Sequence, residues 1–292
     1  MMQAVIFTKI FQELGVEETG ERVKELGFDG VDLAVRPGFC VSPANAPEVL
    51  PGAVEVWNGM GLVAPLISLA VDANDPADPE TIGVFEAAGE AGVGLIKVGY
   101  FPYTVGEDYW SLVSAARAAL EGFAQLSERT GVRTVYHTHS GPNLGSNCAG
   151  LMHLLRGFDP ALIGAYVDMG HMAVEGEDDE MGLAMVKDYL AAIGAKDARF
   201  IELGDPAAPA PWGKHFVFIG QGATPWNRVL TLLNSWGFDG PFSIHGEYTS
   251  DQTVIATVGG LDMAEEAQRL RAEGIESDLA FLRSRWADVT DN

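Results

Sequence analysis

Four of the six histidines stand at the ends of short apolar runs, close to acidic residues. The residues at these run ends are His137 and His139, Asp168 and His171, and His245 and Glu247. Residues two apart in an extended strand project from the same face, which pairs His137 with His139 and His245 with Glu247. Imidazoles and carboxylates converging from several strands are suitable donors for a divalent metal ion. These segments predict a metal site and carry the strongest functional signal in the chain.

Short apolar runs alternate with longer amphipathic stretches along the sequence. The predicted strands are Gln3–Thr8, Gly30–Val35, Leu62–Leu69, Gly94–Gly99, Val132–His137, Ile163–Asp168, Ala191–Lys196 and Phe242–Glu247. The predicted helices are Glu17–Leu26, Pro79–Ala91, Trp110–Arg129, Pro225–Trp236 and Asp262–Trp286. Strands that alternate with helices indicate parallel βαβ units.

A turn sequence that occurs twice and the lack of a linker between domains both favour one closed barrel. Gly-Phe-Asp-Gly occurs at 27–30 and at 237–240, each time between a predicted helix and a predicted strand. The loop Ala207–Pro211 is too short to separate domains and is interpreted as a loop on the seventh unit. We therefore predict an α/β fold, a (β/α)8 TIM barrel, as a single domain over 1–292. An open doubly wound sheet is the alternative, but no glycine-rich phosphate-binding motif follows the first strand.

Composition excludes several classes of function. The net charge of −23 comes from 41 acidic and 18 basic residues, and such a surface repels nucleic acid and anionic membranes. No apolar run approaches the ~20 residues of a membrane-spanning helix. The first residues lack a basic stretch before the apolar run, which argues against a signal peptide. Cys40 and Cys148 do not form a disulfide framework, and we expect a cytoplasmic location.

Several motifs, in order along nearly the whole chain, resemble those of one superfamily. They are Asp168-Met-Gly-His171, Lys196-Asp197, Gly220-Gln-Gly222 and the segment from Gly237 to Glu247. Together they resemble the sugar phosphate isomerase/epimerase superfamily, the xylose-isomerase-like TIM barrels. The segment Tyr136-His-Thr-His139 most resembles the inosose-dehydratase-like branch of that superfamily.

The resemblance implies a divalent metal ion held by Glu, Asp, His and Glu on strands five to eight. Asp168 and Glu247 match this set, and His137 stands in place of the fifth-strand Glu. Gly194 stands where the seventh-strand His is expected, so another donor must complete the shell. His139 is the first choice, because it shares a face with His137.

The remaining candidates for this fourth ligand position are His245, His215 and water. His245 is the second choice, because it shares a face with Glu247. Mixed nitrogen and oxygen donors tolerate Mn, Co, Mg or Zn, so the sequence does not select the ion.

The resemblance implies roles next to the substrate for His171 and Glu247, and residue type and position suggest roles for other residues around the metal. His171 and Glu247 are predicted to take part in catalysis, and Lys196 to stabilise an enediolate oxygen. Arg36, His245 and Trp212 are the predicted substrate-binding residues. Each residue also has a plainer interpretation, such as a helix cap, a hydrogen-bonded core histidine or a solvated lysine.

These observations predict a metal-dependent isomerase, epimerase or dehydratase-type lyase that acts on a sugar, keto-sugar or cyclitol. The partner is this small molecule, with no nucleic acid and no membrane, and a homo-oligomer is left open. A barrel without metal that serves as a binding or subunit scaffold is the alternative. An AP endonuclease is disfavoured, because it needs histidine ligands on strands two and three, and no histidine precedes His137.

Overall fold

Eight parallel strands close into a barrel in the computed structural model. It describes residues 2–202, 212–248 and 263–290, with side chains throughout except at 263–272. The barrel strands are β1 (Gln3–Phe7), β2 (Gly30–Val35), β3 (Val63–Leu69), β4 (Leu95–Lys97), β5 (Arg133–His137), β6 (Ile163–Asp168), β7 (Leu190–Ala195) and β10 (Pro241–Ile244). Each strand lies beside the next, and β10 closes the barrel between β7 and β1. The predicted fold class is confirmed.

Helices connect the strands and cover the outside of the barrel. They are α1 (Val16–Glu25), α2 (Ala46–Gly59), α3 (Pro79–Ala91), α4 (Tyr109–Thr130), α5 (Cys148–Leu155), α6 (Met169–Glu175), α7 (Asp179–Val186), α8 (Trp226–Ser235) and α9 (Met263–Thr290). Asp78 and Asp108 cap α3 and α4 by accepting a backbone N–H in the first turn. Both helices end at a glycine with positive φ, Gly92 and Gly131, which avoids the Cβ strain of that conformation.

The structure departs from the sequence prediction in the seventh unit. An antiparallel pair, β8 (Asp197–Glu202) and β9 (Trp212–Val217), follows β7. Only Lys196 separates β7 from β8, so no turn signal revealed the second strand. The predicted loop Ala207–Pro211 and the predicted helix start at Asp262 lie outside the described residues. That 1–292 forms one domain stays a prediction.

The barrel interior is apolar at one end and polar toward the other. Leu66, Val135 and Tyr166 are buried together inside the barrel. Toward the C-terminal ends of the strands, the Tyr166 hydroxyl group and Ser243 both donate to the buried carboxylate of Asp32. This polar layer is the floor of the site described below. Among the described residues, no helix is long and apolar enough to cross a bilayer.

Candidate active site

A pocket of about 440 Å³, measured with its open mouth, lies at the C-terminal ends of the barrel strands. This is the end at which TIM barrels place their active sites. Its lining includes four histidines, three cations and one carboxylate: His137, His139, His171, His245, Lys9, Arg36, Lys97 and Glu247. Barrel closure therefore brings together candidates from distant parts of the sequence.

Two histidines and one aspartate form the tightest group of potential metal ligands in the pocket. His137 ends β5, Asp168 ends β6 and His245 follows β10 directly. His137 Nε2 lies 3.4 Å from Asp168 Oδ2, and His245 Nδ1 lies 3.5 Å from the same oxygen. Among the described residues, one donor atom from each lies within 4.8 Å of the other two. We call this group the His–Asp–His cluster.

Hydrogen bonds to tyrosine orient both imidazoles of the cluster. Tyr166 Oη donates to Asp32 Oδ2, so it accepts the Nε2–H of His245 at 2.8 Å. This tautomer leaves the lone pair of His245 Nδ1 directed at Asp168. Tyr100 Oη lies 3.0 Å from His137 Nδ1 and leaves Nε2 facing Asp168. Such hydrogen bonds commonly fix the orientation of metal-ligating histidines.

The chemistry of the His–Asp–His cluster fits a divalent metal ion. His137 Nε2 and Asp168 Oδ2 are buried polar atoms without a hydrogen-bond partner, although Asp168 Oδ1 accepts the backbone N–H of His171. Buried polar groups are normally paired, so these two atoms indicate a missing partner. Burial lowers the pKa of His137 to about 3 and that of His245 to about 4, which keeps both imidazoles neutral and able to ligate.

Asp168 remains an anion despite complete burial. Burial by itself would raise the pKa of this carboxyl group, but the neighbouring ammonium group of Lys196 holds it well below its usual range. Lys196 supplies the permanent positive charge, since its own pKa is raised by Asp168 and Glu247 in opposition to burial. A carboxylate and two neutral imidazoles are therefore available at one point.

Glu247 lies in the pocket but apart from the His–Asp–His cluster. Its two oxygens bind Lys9 Nζ at 2.6 Å and Lys196 Nζ at 2.9 Å. Strand β10 ends at Ile244, and Gly246 has a φ of +60°, so the two-residue alternation that pairs His245 with Glu247 does not hold. In the structure His245 therefore joins the cluster, whereas Glu247 forms ion pairs with Lys9 and Lys196.

His171 connects Lys196 to the rest of the pocket. Its Nε2 lies 3.4 Å from Lys196 Nζ, and its Nδ1 lies 3.0 Å from Ser140 Oγ. Protonated Lys196 can only donate, so Nε2 carries the lone pair and Nδ1 donates to the serine. Burial holds the pKa of His171 well below its ordinary value. A neutral imidazole, an ammonium group and the carboxylate of Glu247 thus lie beside the His–Asp–His cluster.

His139 is near these groups but does not join the cluster. Its ring lies 4.1 Å from that of His171, and its Nδ1 is 2.9 Å from the carbonyl oxygen of Ser140. The strand β5 ends at His137, so the shared face expected for the two histidines ends there too. His245, the second choice for the fourth ligand, lies beside Asp168 instead, and His139 as a ligand finds no support in this geometry.

The predicted substrate residues Arg36 and Trp212 have different positions. Arg36 follows β2 and lines the pocket. Trp212 begins β9, is 57% exposed and is not among the residues that line the pocket. The antiparallel pairing of Trp212 with Glu202 carries it to the far end of the ribbon, and the structure does not bring it to the other candidates.

Four polar residues that shape the pocket were not predicted from the sequence: Asp32, Lys97, Tyr100 and Tyr166. Asp32 is fully buried, and burial raises its pKa to about 6, against the hydrogen bonds that it receives. Lys97 is 4% exposed, and burial lowers its pKa to about 7. A charged residue inside an apolar strand was the available signal for both, at positions 32 and 97.

Comparison with protein-family models assigns the chain to a family. The model of a family described as xylose isomerase-like TIM barrel matches residues 21–285. The chain belongs to this family. A search of curated proteins finds no relative.

Solved structures share the fold of this xylose isomerase-like barrel. A 3-keto-D-glucoside 4-epimerase from E. coli has a TM-score of 0.67 at 16% identity, over 97% of this chain and 100% of that chain. A D-psicose 3-epimerase from Clostridium cellulolyticum H10 has a TM-score of 0.67 at 15% identity, over 98% and 99%. An L-ribulose 3-epimerase has a TM-score of 0.68 at 14% identity, over 100% and 96%. At these identities the likeness establishes the shared barrel.

Proposed function

We propose that this barrel is a divalent-metal-dependent enzyme that removes a proton from carbon in a sugar, keto-sugar or cyclitol. The observation that carries the proposal is the His–Asp–His cluster, with two unpartnered buried donor atoms at the C-terminal end of the barrel. Support for a sugar substrate comes from the epimerases that share the fold, whose names specify keto-glucoside, psicose and ribulose. Because fold likeness alone does not fix function, the site must be tested directly.

The residues around the cluster suit proton transfer at carbon. A bound divalent ion would polarise a substrate oxygen and acidify the adjacent C–H bond. The neutral Nε2 of His171 and the carboxylate of Glu247, both in contact with Lys196, are the bases that we assign to proton transfer. Lys196 lies between them and, as an ammonium group, stabilises negative charge that develops on a substrate oxygen. Return of the proton to the other face gives an epimer, and loss of hydroxide with a proton gives a dehydrated product.

The residues around these bases are compatible with isomerase, epimerase and lyase chemistry. Among these reactions, we favour a dehydratase-type reaction. The resemblance implies two glutamates that flank the substrate, and here His137 replaces the first of them. The remaining bases are an imidazole and a carboxylate, and this difference in kind favours abstraction by one group and expulsion of a leaving group by the other. The likeness of Tyr136-His-Thr-His139 to the inosose-dehydratase-like branch agrees with this choice.

Of the four metals that the sequence tolerates, the donor set favours Zn, Co or Mn over Mg. Two imidazole nitrogens and one carboxylate oxygen suit Zn, Co or Mn, whereas Mg prefers oxygen donors and retained water. Three protein donors also leave coordination positions for substrate, as in catalytic zinc sites.

A scaffold without catalytic activity is the second candidate. Two observations favour it: Gly194 offers no ligand, and both oxygens of Glu247 are taken by lysines. Such a scaffold would bind no metal ion and exchange no proton at carbon.

The deciding experiment measures metal content and solvent deuterium incorporation together. Purified protein is loaded separately with Mn, Co, Zn and Mg and incubated in D₂O with ketoses, inososes and 3-keto-glycosides. We expect metal retention and deuterium at carbon with at least one substrate, and loss of both in Asp168→Asn. His153→Gln is the matched control, because His153 lies on α5 against Trp110 and outside the pocket lining. A wild-type protein that retains no metal supports the scaffold instead.

A further inference from the structure

Two cations line the pocket without a carboxylate partner. Arg36 follows β2, and Lys97 ends β4. Arg36 Nε is buried and has no hydrogen-bond partner, and the guanidinium carbon lies 5.2 Å from the centroid of the Phe7 ring. Within the described parts of the chain, neither Arg36 nor Lys97 has an ion pair within 4.0 Å.

Lys97 is buried with little to compensate its charge. Its Nζ has one long contact, 3.5 Å to the carbonyl oxygen of Leu69, and lies 4.0 Å from the centroid of the Tyr100 ring. The carboxylate of Asp32 acts on Lys97 at longer range, while its own hydrogen bonds come from Tyr166 and Ser243. Ammonium groups have three donors, so most of the hydrogen-bonding capacity of Lys97 is unused.

The other lysines near the pocket are differently placed. Glu247 binds both Lys9 and Lys196, and Asp168 acts on Lys196 as well. These contacts neutralise the wall formed by the ends of β7 and β10 and the start of the segment after β1. The basic groups at the ends of β2 and β4 have no such ion pair among the described residues.

An uncompensated positive wall is costly to fold and therefore suggests a bound anion. Burying a cation without a partner is unfavourable, and the cost is recovered when an oxyanion supplies charge-assisted hydrogen bonds. A guanidinium group presents paired donors that match a carboxylate or a phosphate, and an ammonium group adds a point charge. These basic groups attract an anion only locally, since the chain as a whole carries a net charge of −23 and repels anions.

We propose that Arg36 and Lys97 form an oxyanion subsite and that the substrate is an acidic sugar or cyclitol, with a carboxylate or phosphate group held there. This inference rests on the proposed function, since it names the class of substrate for the same pocket. The acidic group binds at the ends of β2 and β4, and the carbon skeleton extends toward the His–Asp–His cluster and His171.

The test compares acidic and neutral sugars of the same skeleton by isothermal titration calorimetry. The probes are D-glucuronate, D-glucose 6-phosphate and D-glucose, titrated into the protein with and without added metal ion. We expect at least one acid to bind about 10-fold to 100-fold more tightly than D-glucose, the range of a hydrogen bond to a charged group. The acid that binds more tightly distinguishes a carboxylate from a phosphate subsite. Equal binding of all three sugars overturns the proposal.

Substitutions then test whether Arg36 and Lys97 cause the preference for acidic sugars. Arg36→Gln and Lys97→Met should each reduce the advantage of the acid over D-glucose by about 10-fold or more. Arg129→Gln and Lys24→Met are matched controls, because both side chains lie outside the pocket lining. Thermal unfolding of each variant confirms that it is folded. An acid preference that persists in both pocket variants contradicts the subsite.

Binding and catalysis are separate readouts in this design. If deuterium exchange at carbon occurs but acids bind no better than D-glucose, the subsite is wrong and the proposed function stands. If acids bind through Arg36 and Lys97 but no metal is retained and no exchange occurs, the subsite stands and the proposed function is wrong.

Discussion

Gly194 on β7 pairs with Asp168 on β6, and a Cβ atom added at position 194 would lie 2.8 Å from Asp168 Oδ2 and 3.0 Å from Asp168 Cα. The space for a side chain at this position is therefore filled by the aspartate itself. The loss of the expected strand-seven histidine and the close approach of Asp168 are two aspects of one packing arrangement. His245, directly after the neighbouring strand β10, brings the second imidazole to Asp168.

Gly194→Ala should destabilise the protein, because the added methyl group forces Asp168 or the backbone to move. Overpacking of this kind costs about 1–3 kcal/mol of unfolding free energy. Gly52→Ala is the control, since no atom lies within 4 Å of its added Cβ on helix α2. That change should be neutral or stabilising by up to about 1 kcal/mol. Urea unfolding checks both, and equal effects of the two changes would contradict the close packing.

His245→Gln and His139→Gln should differ in their effect on metal binding. His245 directs Nδ1 at Asp168 Oδ2 from 3.5 Å, whereas His139 Nδ1 faces the carbonyl oxygen of Ser140. We expect the first change to weaken affinity for Zn or Co by at least about 10-fold, the lower range for loss of a group that supports a metal site. The second change should leave affinity near that of the wild type. Competition with a chromogenic chelator measures both, and the opposite order would restore His139 as the ligand.

Glu247→Gln and His171→Gln should reduce turnover more than they reduce metal affinity. Neither residue belongs to the His–Asp–His cluster, and both contact Lys196. General acid–base groups contribute about 10²–10⁴-fold to rate, so a loss in that range is expected for at least one change. Metal content and deuterium exchange are measured on the same samples. A Glu247→Gln protein that cannot hold its metal would show that Glu247 ligates, as the sequence alone suggested.

Lys97→Met should stabilise the folded protein at neutral pH, because it removes a buried charge and keeps the apolar length of the side chain. Burial lowers the pKa of Lys97 from an ordinary 10.5 to about 7. Below pH 7 both the folded and the unfolded chain hold the proton, and the gain is on the order of a few kcal/mol.

The gain from Lys97→Met should shrink as the pH rises from 7 toward 10.5. In that window the unfolded wild-type chain still binds the proton while the folded chain has released it, so wild-type stability increases with pH. Urea unfolding of both proteins at pH 6, 8 and 10 checks the trend. A difference that stays constant with pH would show that Lys97 titrates normally in the folded protein.

Much of the fold could be predicted from the sequence, because it depends on local patterns. Short apolar runs that alternate with amphipathic stretches indicate parallel βαβ units, and the eight predicted barrel strands are present. Placing His137 and Asp168 at strand ends was enough to expect them at one end of a closed barrel. The ribbon β8–β9 escaped prediction, because a single residue separates it from β7 and no turn residue marks the change.

The composition of the site was decided by tertiary structure. Side chains alternate between faces only while the backbone stays extended, and Ile244 and His137 are the last strand residues before His245, Glu247 and His139. Beyond these points, the turn at Gly246 separates Glu247 from His245.

Contacts across the barrel have no signature in the local sequence. Asp32 on β2 meets Tyr166 on β6 and Ser243 on β10, at separations of 134 and 211 residues along the chain. Strand closure and register set these distances, and they also leave Arg36 and Lys97 facing the pocket together. The sequence by itself determined the barrel and the polar residues at the C-terminal ends of its strands. Only the tertiary structure decided which of them meet, because those contacts depend on the path of the backbone after each strand has ended.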